Sequence, residues 1–224
     1  MGNPKRATRH VVLMCDCEGT EEQIRRIQDV IEDEGVKATW FFVGETVRAF
    51  PRLIREIASR HQAESHTLTH RNLRNMTREQ QRAEIMAGKH TLEGVIGRGT
   101  RGFSAPMNAI NRDTSRVLNE EGFYFDTSRL YFRHINMGKV HEIVPTWFRE
   151  WMPLYEKLGL KPVTAYGLLT CLTRIFEPAV LPVHPHYSGK SDELAAAFRG
   201  FIVKAKARGH IFWDCDDLLR ARGH

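Results

Sequence analysis

Three short clusters of acids and histidines carry the residue types from which a hydrolytic centre can be built. Asp16-Cys17-Glu18 closes the apolar run VVLMC (11–15). In an extended chain residues 16 and 18 face one way and Cys17 the other. Two carboxylates at a strand's exit can divide labour, one holding a metal and the other accepting a proton. The plainer role is a loop acid and an acid that favours the start of the next helix. His66 and His70 stand four apart in HTLTH. On a helical turn they would share a face and chelate a divalent ion, although a chain with eleven histidines offers that spacing by chance. His184 and His186 follow the apolar segment AVLPV (179–183). A histidine at a strand's C-terminal end suits acid–base work near neutral pH, and a hydrogen-bonded core histidine is the plainer alternative. Two histidines and one carboxylate would leave a fourth position on a metal for water.

An alternation of strands and helices would have to bring these clusters together. The continuous apolar run at 11–15 predicts a strand buried on both faces. Thr20 and Gln23 have capping-box spacing, Ile24, Ile27 and Ile31 keep helical spacing, and Gly35 falls where a C-cap belongs. KATWFFV (37–43) reads as a second strand, and Pro51 opens a helix bearing Leu53, Ile54 and Ile57. A short strand near 61–65 leads into the histidine pair. Thr77 with Gln80 starts a helix that ends near Gly97. A strand at 100–105 precedes Asn111, the N-cap of a helix reaching Glu121 with Gly122 as its stop. Further strands are expected at 123–126, 142–144 and 179–184, and a helix at 165–175. The last unit is a helix from Asp192 to Lys206, then Gly209, then the strand HIFW (210–213). Such alternation implies a parallel sheet with right-handed crossovers. A closed or distorted barrel and an open doubly wound sheet both satisfy it. Both gather functional loops at the C-terminal ends of the strands, where the three clusters fall. Pro182, which has no N–H to donate, suggests an irregular closing region.

The 224 residues suit a single domain spanning 1–224. No apolar run is long enough to span a membrane, and the basic start does not lead into a secretory signal, so a cytoplasmic location is expected. Four scattered cysteines (Cys15, Cys17, Cys171, Cys215) do not make a disulfide framework and are expected to be reduced and buried. The formal charge of +6 comes from basic residues dispersed over predicted helices, among them Arg25, Arg26, Arg48, Arg52, Arg55 and Arg82. No basic run is interleaved with aromatics, which argues against a nucleic-acid partner, whereas a small anionic substrate fits the balance. The oligomeric state is not legible.

In order along the chain stand DCEG (16–19), GVKATWFFVGE (35–45), SHTLTH (65–70), GFSAP (102–106) and PVHPHYSGK (182–190). Together they resemble the NodB-like polysaccharide deacetylases, carbohydrate esterase family four, over about 11–126 and 179–217. The resemblance implies a distorted (β/α) barrel, usually of seven parallel strands. It implies that Glu18, His66 and His70 hold one divalent metal ion, zinc ahead of cobalt, nickel or iron. It implies Asp16 as general base and His184 as general acid in hydrolysis of an N-acetyl or N-formyl group on an amino sugar. Two departures stand out. The acidic motif is Asp-x-Glu instead of adjacent Asp-Asp, and Ser104 replaces the arginine that usually orients the base. Arg101, three residues earlier, would face the opposite side of a strand. Ser104, Pro106 and His186, with Trp147 and Trp151 as candidates for the family's pocket tryptophan, complete the expected substrate pocket. Two other readings share the site: a sugar-binding protein that has lost the reaction, and a deacylase of a non-carbohydrate amide.

Overall fold

β1 (Arg9–Cys17) organises the sheet, because it is paired along both edges. The computed structural model describes residues 8–128, 135–146, 157–159 and 161–224. Among them, β2 (Thr39–Phe42), β3 (Gln62–Ser65), β4 (Gly102–Phe103), β5 (Phe125–Asp126), β6 (His141–Glu142) and β7 (Ala179–Val183) complete a seven-strand path. The path runs β6-β5-β4-β3-β2-β1-β7, with every neighbouring pair parallel. An eighth strand, β8 (His210–Trp213), pairs with the first half of β1, Arg9 to Val12, below the stretch that pairs with β2. The sheet is therefore parallel and curled, as a distorted (β/α) barrel requires.

Alternation along β1 explains both layers. Val11, Leu13, Cys15 and Cys17 point outward into the cluster shared with α1 (Glu21–Asp33), α3 (Pro51–Arg60) and α8 (Asp192–Ala207). Val12 and Met14 point inward with Phe41, Phe125, Ile143 and Val180. The next inward position on β1 is Asp16, so parity places an acid at the open end of the interior. α9 (Cys215–Ala221) packs Leu218 and Leu219 against the same inner cluster and plugs the opposite end.

Between β6 and β7 the curl is continued, among the described residues, by Thr146. Thr146 N donates to the Val180 carbonyl at 2.9 Å and Thr146 Oγ1 accepts from Val180 N at 2.8 Å. Pro182, two residues on, turns the same edge away from β1, so no ladder bond to β1 is lost. This is the irregular closing region that Pro182 suggested.

Most element boundaries follow the sequence signals. Thr20/Gln23 and Thr77/Gln80 form reciprocal capping boxes, and α4 (Arg78–Ile96) stops at Gly97 with φ 71°. α5 (Arg112–Glu120) starts from the Asn111 cap. Some expectations need correction. The short helix α2 (Gly44–Ala49) is additional, the strands expected at 100–105, 123–126 and 142–144 shrink to two residues each, and α6 is Pro162–Leu172 instead of 165–175. Cys15, Cys17 and Cys215 are buried and in no disulfide, but Cys171 is exposed. No helix among the described residues is long and apolar enough to cross a membrane.

Candidate active site

The C-terminal ends of β1, β3, β4 and β7 converge, and each delivers one of the motifs. From β1 come Asp16 and, just beyond, Glu18, while Cys17 is buried in the outer core, as parity predicted. Burial, followed by the charges of Glu18 and Asp16, pushes the Cys17 thiol well above its ordinary value, so it is inert. β3 leads into His66 and β4 into Ser104. From β7 come His184 and then His186, the latter within α7 (Pro185–Ser188).

The two carboxylates meet different partners. Glu18 Oε1 lies 2.8 Å from His70 Nε2, and Glu18 Oε2 lies 3.6 Å from His186 Nδ1. Asp16 Oδ1 accepts a hydrogen bond from the Ser104 hydroxyl at 3.3 Å, and Asp16 Oδ2 lies 3.6 Å from His184 Nε2. Burial alone would raise the Glu18 pKa. The His70 hydrogen bond and the charges of His70, His186 and His66 outweigh it and hold the carboxyl at about 2. Burial keeps His66 below its usual value, and it does the same to His186. The shift favours the neutral imidazole in both, the form that can act as a ligand or acceptor.

The donor set suits a divalent ion. One ligand atom each from Glu18, His66 and His70 lie within 4.8 Å of one another. Tetrahedral zinc asks for donors roughly 3–3.5 Å apart, so a small contraction suffices. His66 Nδ1 lies 2.8 Å from the Ser104 carbonyl oxygen. That oxygen can only accept, so the proton sits on Nδ1 and the Nε2 lone pair is left for a metal.

The HTLTH segment is not the helical turn that its spacing suggested. It is a loop in which Thr67 (φ 63°) and His70 (φ 57°) take left-handed backbone angles. Such angles are costly for a β-branched threonine and are held by contacts from outside the loop. Gly44 N and Glu45 N, at the start of α2, donate to the Thr67 and Leu68 carbonyls, each at 2.9 Å. Glu84 Oε1, from α4, accepts from Thr69 N at 2.6 Å and from Thr69 Oγ1 at 2.8 Å.

Of the remaining expected residues, Ser104 and Pro106 are buried beside the site, and Arg101 is turned away to pair with Asp216. Trp147 and Trp151 lie outside the described residues. Sequence reasoning did not single out Glu84 or Tyr187, whose ring centroid is 3.9 Å from that of His186. A signal for Glu84 was present: with Gln81, Ile85 and Gly88 it forms the buried face of α4, an acid where an apolar residue is the norm.

The sequence model of a family described as polysaccharide deacetylase matches residues 3–125. The chain belongs to the polysaccharide deacetylase family. A peptidoglycan-N-acetylglucosamine deacetylase of Bacillus cereus is 27% identical over 99 residues, covering 44% of this chain and 36% of the relative. A peptidoglycan deacetylase-like protein of Gibberella zeae is 30% identical over 187 residues, covering 76% of this chain and 54% of the relative. The chain thus spans about a third to a half of these two relatives. Among solved structures, a candidate polysaccharide deacetylase from Mycobacterium smegmatis superposes with a TM-score of 0.80 at 23% identity, covering 99% of this chain and 94% of that one. A family-four carbohydrate esterase pseudoenzyme from Bacillus anthracis superposes with a TM-score of 0.71 at 18% identity, covering 95% of this chain and 66% of that one. At such identities the structural matches establish the shared fold.

Proposed function

We propose that this polysaccharide deacetylase-family chain is an active hydrolase that removes an N-acyl group, acetyl or formyl, from an amino sugar or sugar-linked precursor. The observation that carries the reading is the separation of the two carboxylates. Glu18 sits with His66 and His70, while Asp16 sits with Ser104 and His184. Glu18, His66 and His70 would hold the ion, zinc ahead of cobalt, nickel or iron. A bound divalent ion supplies Lewis-acid polarisation and lowers the pKa of water.

The chain's own residues divide the rest. Asp16 accepts the proton of the attacking water, and the Ser104 hydroxyl on Oδ1 keeps the carboxylate oriented toward it. Ser104 therefore performs, as a neutral donor, part of the orienting work of the arginine it replaces. His184, facing Asp16 from β7, donates a proton to the departing amine. His186 and Tyr187 line the same rim, and Pro106 is buried two residues after Ser104; these residues contribute to the sugar subsite.

The pseudoenzyme among the structural neighbours favours a rival reading, a sugar-binding barrel without turnover. Retention of the three candidate ligands together with a base and an acid supports the enzyme. Incubating the zinc- or cobalt-supplemented protein with N-acetylglucosamine oligosaccharides, and with N-formyl amino sugars, decides between them. Stoichiometric acetate or formate release is expected. Saturable oligosaccharide binding with no release at any metal supplement would leave the binding-protein reading standing.

A further inference from the structure

Asp126 is a fully buried carboxylate that the proposed chemistry does not use. It ends β5 in register with Phe103, whose side chain packs in a second outer cluster with Ile85 of α4 and Val117 and Leu118 of α5, whereas its neighbour Phe125 lies in the inner one. Alternation therefore turns Asp126 to the outer side of the sheet, away from substrate. Its Oδ2 accepts from Ser128 N at 3.0 Å, and its Oδ1 accepts from the Ser128 hydroxyl at 2.5 Å. Ser128 Oγ in turn accepts from Ala105 N at 2.6 Å. Ala105 N and the Ser104 carbonyl belong to one peptide group, and that carbonyl accepts from His66 Nδ1 at 2.8 Å.

We propose that Asp126 and Ser128 are positioning residues for His66, acting through the Ser104–Ala105 peptide. The inference rests on His66 being a metal ligand. Asp126 fixes the Ser128 hydroxyl as a donor, which leaves the Oγ lone pair for Ala105 N–H. Donation from that N–H draws electron density onto the Ser104 oxygen, because hydrogen bonds in series polarise one another. A more negative carbonyl grips the imidazole N–H more firmly and makes Nε2 a better ligand. Every group in the series is shielded from water: His66, Ser104, Ala105, Asp126 and Ser128 are each at most 3% exposed. The same peptide carries the Ser104 hydroxyl bonded to Asp16, so its placement sets the base as well as the ligand.

Two readouts on the full chain test this: the nitrogen-15 histidine spectrum of the metal-free protein, and zinc affinity by competition with a chromogenic chelator. Wild type should show His66 as the Nδ1–H tautomer. Asp126→Asn keeps an acceptor for Ser128 but removes the charge that the carboxylate carries above about pH 7, where both readouts are taken. It should shift the His66 Nδ1–H resonance and weaken zinc binding about tenfold, within the range seen when supports of metal ligands are altered. Should that variant not fold, Ser128→Ala, which leaves the carboxylate in place, carries the same two readouts. A folded variant whose His66 resonance and zinc affinity match wild type overturns the proposal, and so does a wild-type His66 protonated at Nε2. If wild type takes up no zinc, the metal site fails by itself, and the relay is decided by the His66 spectrum.

Discussion

At the residue scale, side-chain length and the turn that follows β1, with Glu18 N donating to the Asp16 carbonyl at 3.0 Å, separate two acids that stand only two positions apart. Asp16 is the last inward residue of β1 and stays near Ser104 and His184, whereas Glu18, one turn of the backbone later, has the reach to join His66 and His70. The two histidines after β7 divide between these two acids: His184 faces Asp16 and His186 faces Glu18. His184→Ala should therefore lower turnover by about two to four orders of magnitude, the range for a lost acid–base group, with zinc content unchanged. His186→Ala should act mainly on substrate affinity. Steady-state kinetics of both variants check this, and a crippled His186→Ala beside a normal His184→Ala would reverse the assignment.

At the element scale, the histidine loop is shaped by what packs against it. Gly88 on α4 lies so close that a Cβ there would come within 2.3 Å of the Thr67 carbonyl carbon and 2.4 Å of its oxygen. Gly88→Ala should push the loop aside, destabilise the fold by about 1–3 kcal/mol as overpacking does, and weaken zinc binding. A melting temperature and zinc affinity equal to wild type would contradict that role for α4. The same loop marks the limit of sequence reading. The spacing of His66 and His70 is visible, but the left-handed angles at Thr67 and His70 are imposed by α2, Glu84 and Gly88, up to some twenty residues away in the chain. Local signals fared better where the physics is local. The boxes at Thr20/Gln23 and Thr77/Gln80 and the cap at Asn111 each satisfy backbone groups within three residues. The hydrogen bond from Ser104 to Asp16 spans 88 positions, and only the assembled sheet reveals it. It also alters the significance of the missing arginine, which in sequence appears only as a loss.

At the scale of the whole molecule, the parallel sheet does what the alternation implied and brings the motifs to one rim, while several of the helix-surface arginines are paired locally. Arg25 pairs with Glu21, Arg26 with Glu22 and Asp192, and Arg82 with Glu120 and Glu121. One buried acid should also be felt in global stability. Burial, and then the charge of Glu142, raise the Asp126 pKa to about 7 against the hydrogen bonds that lower it. The folded chain thus holds this proton more tightly than the unfolded chain, whose aspartates titrate near about 4. The stability Asp126 contributes is full below about pH 4 and is lost as pH rises through about 7. Relative to wild type, the melting temperature of Asp126→Asn should therefore rise between pH 4.5 and 7.5, values chosen to bracket that window. A difference that stays constant would show that Asp126 titrates normally.

If the two carboxylates at the end of β1 have separable roles, metal content and turnover measured side by side in two variants must separate too. Asp16→Asn should keep stoichiometric zinc and lose nearly all turnover. Glu18→Gln should lose zinc on dialysis and recover part of its turnover when zinc is supplied in excess. Zinc lost from Asp16→Asn and held tightly by Glu18→Gln would contradict the account.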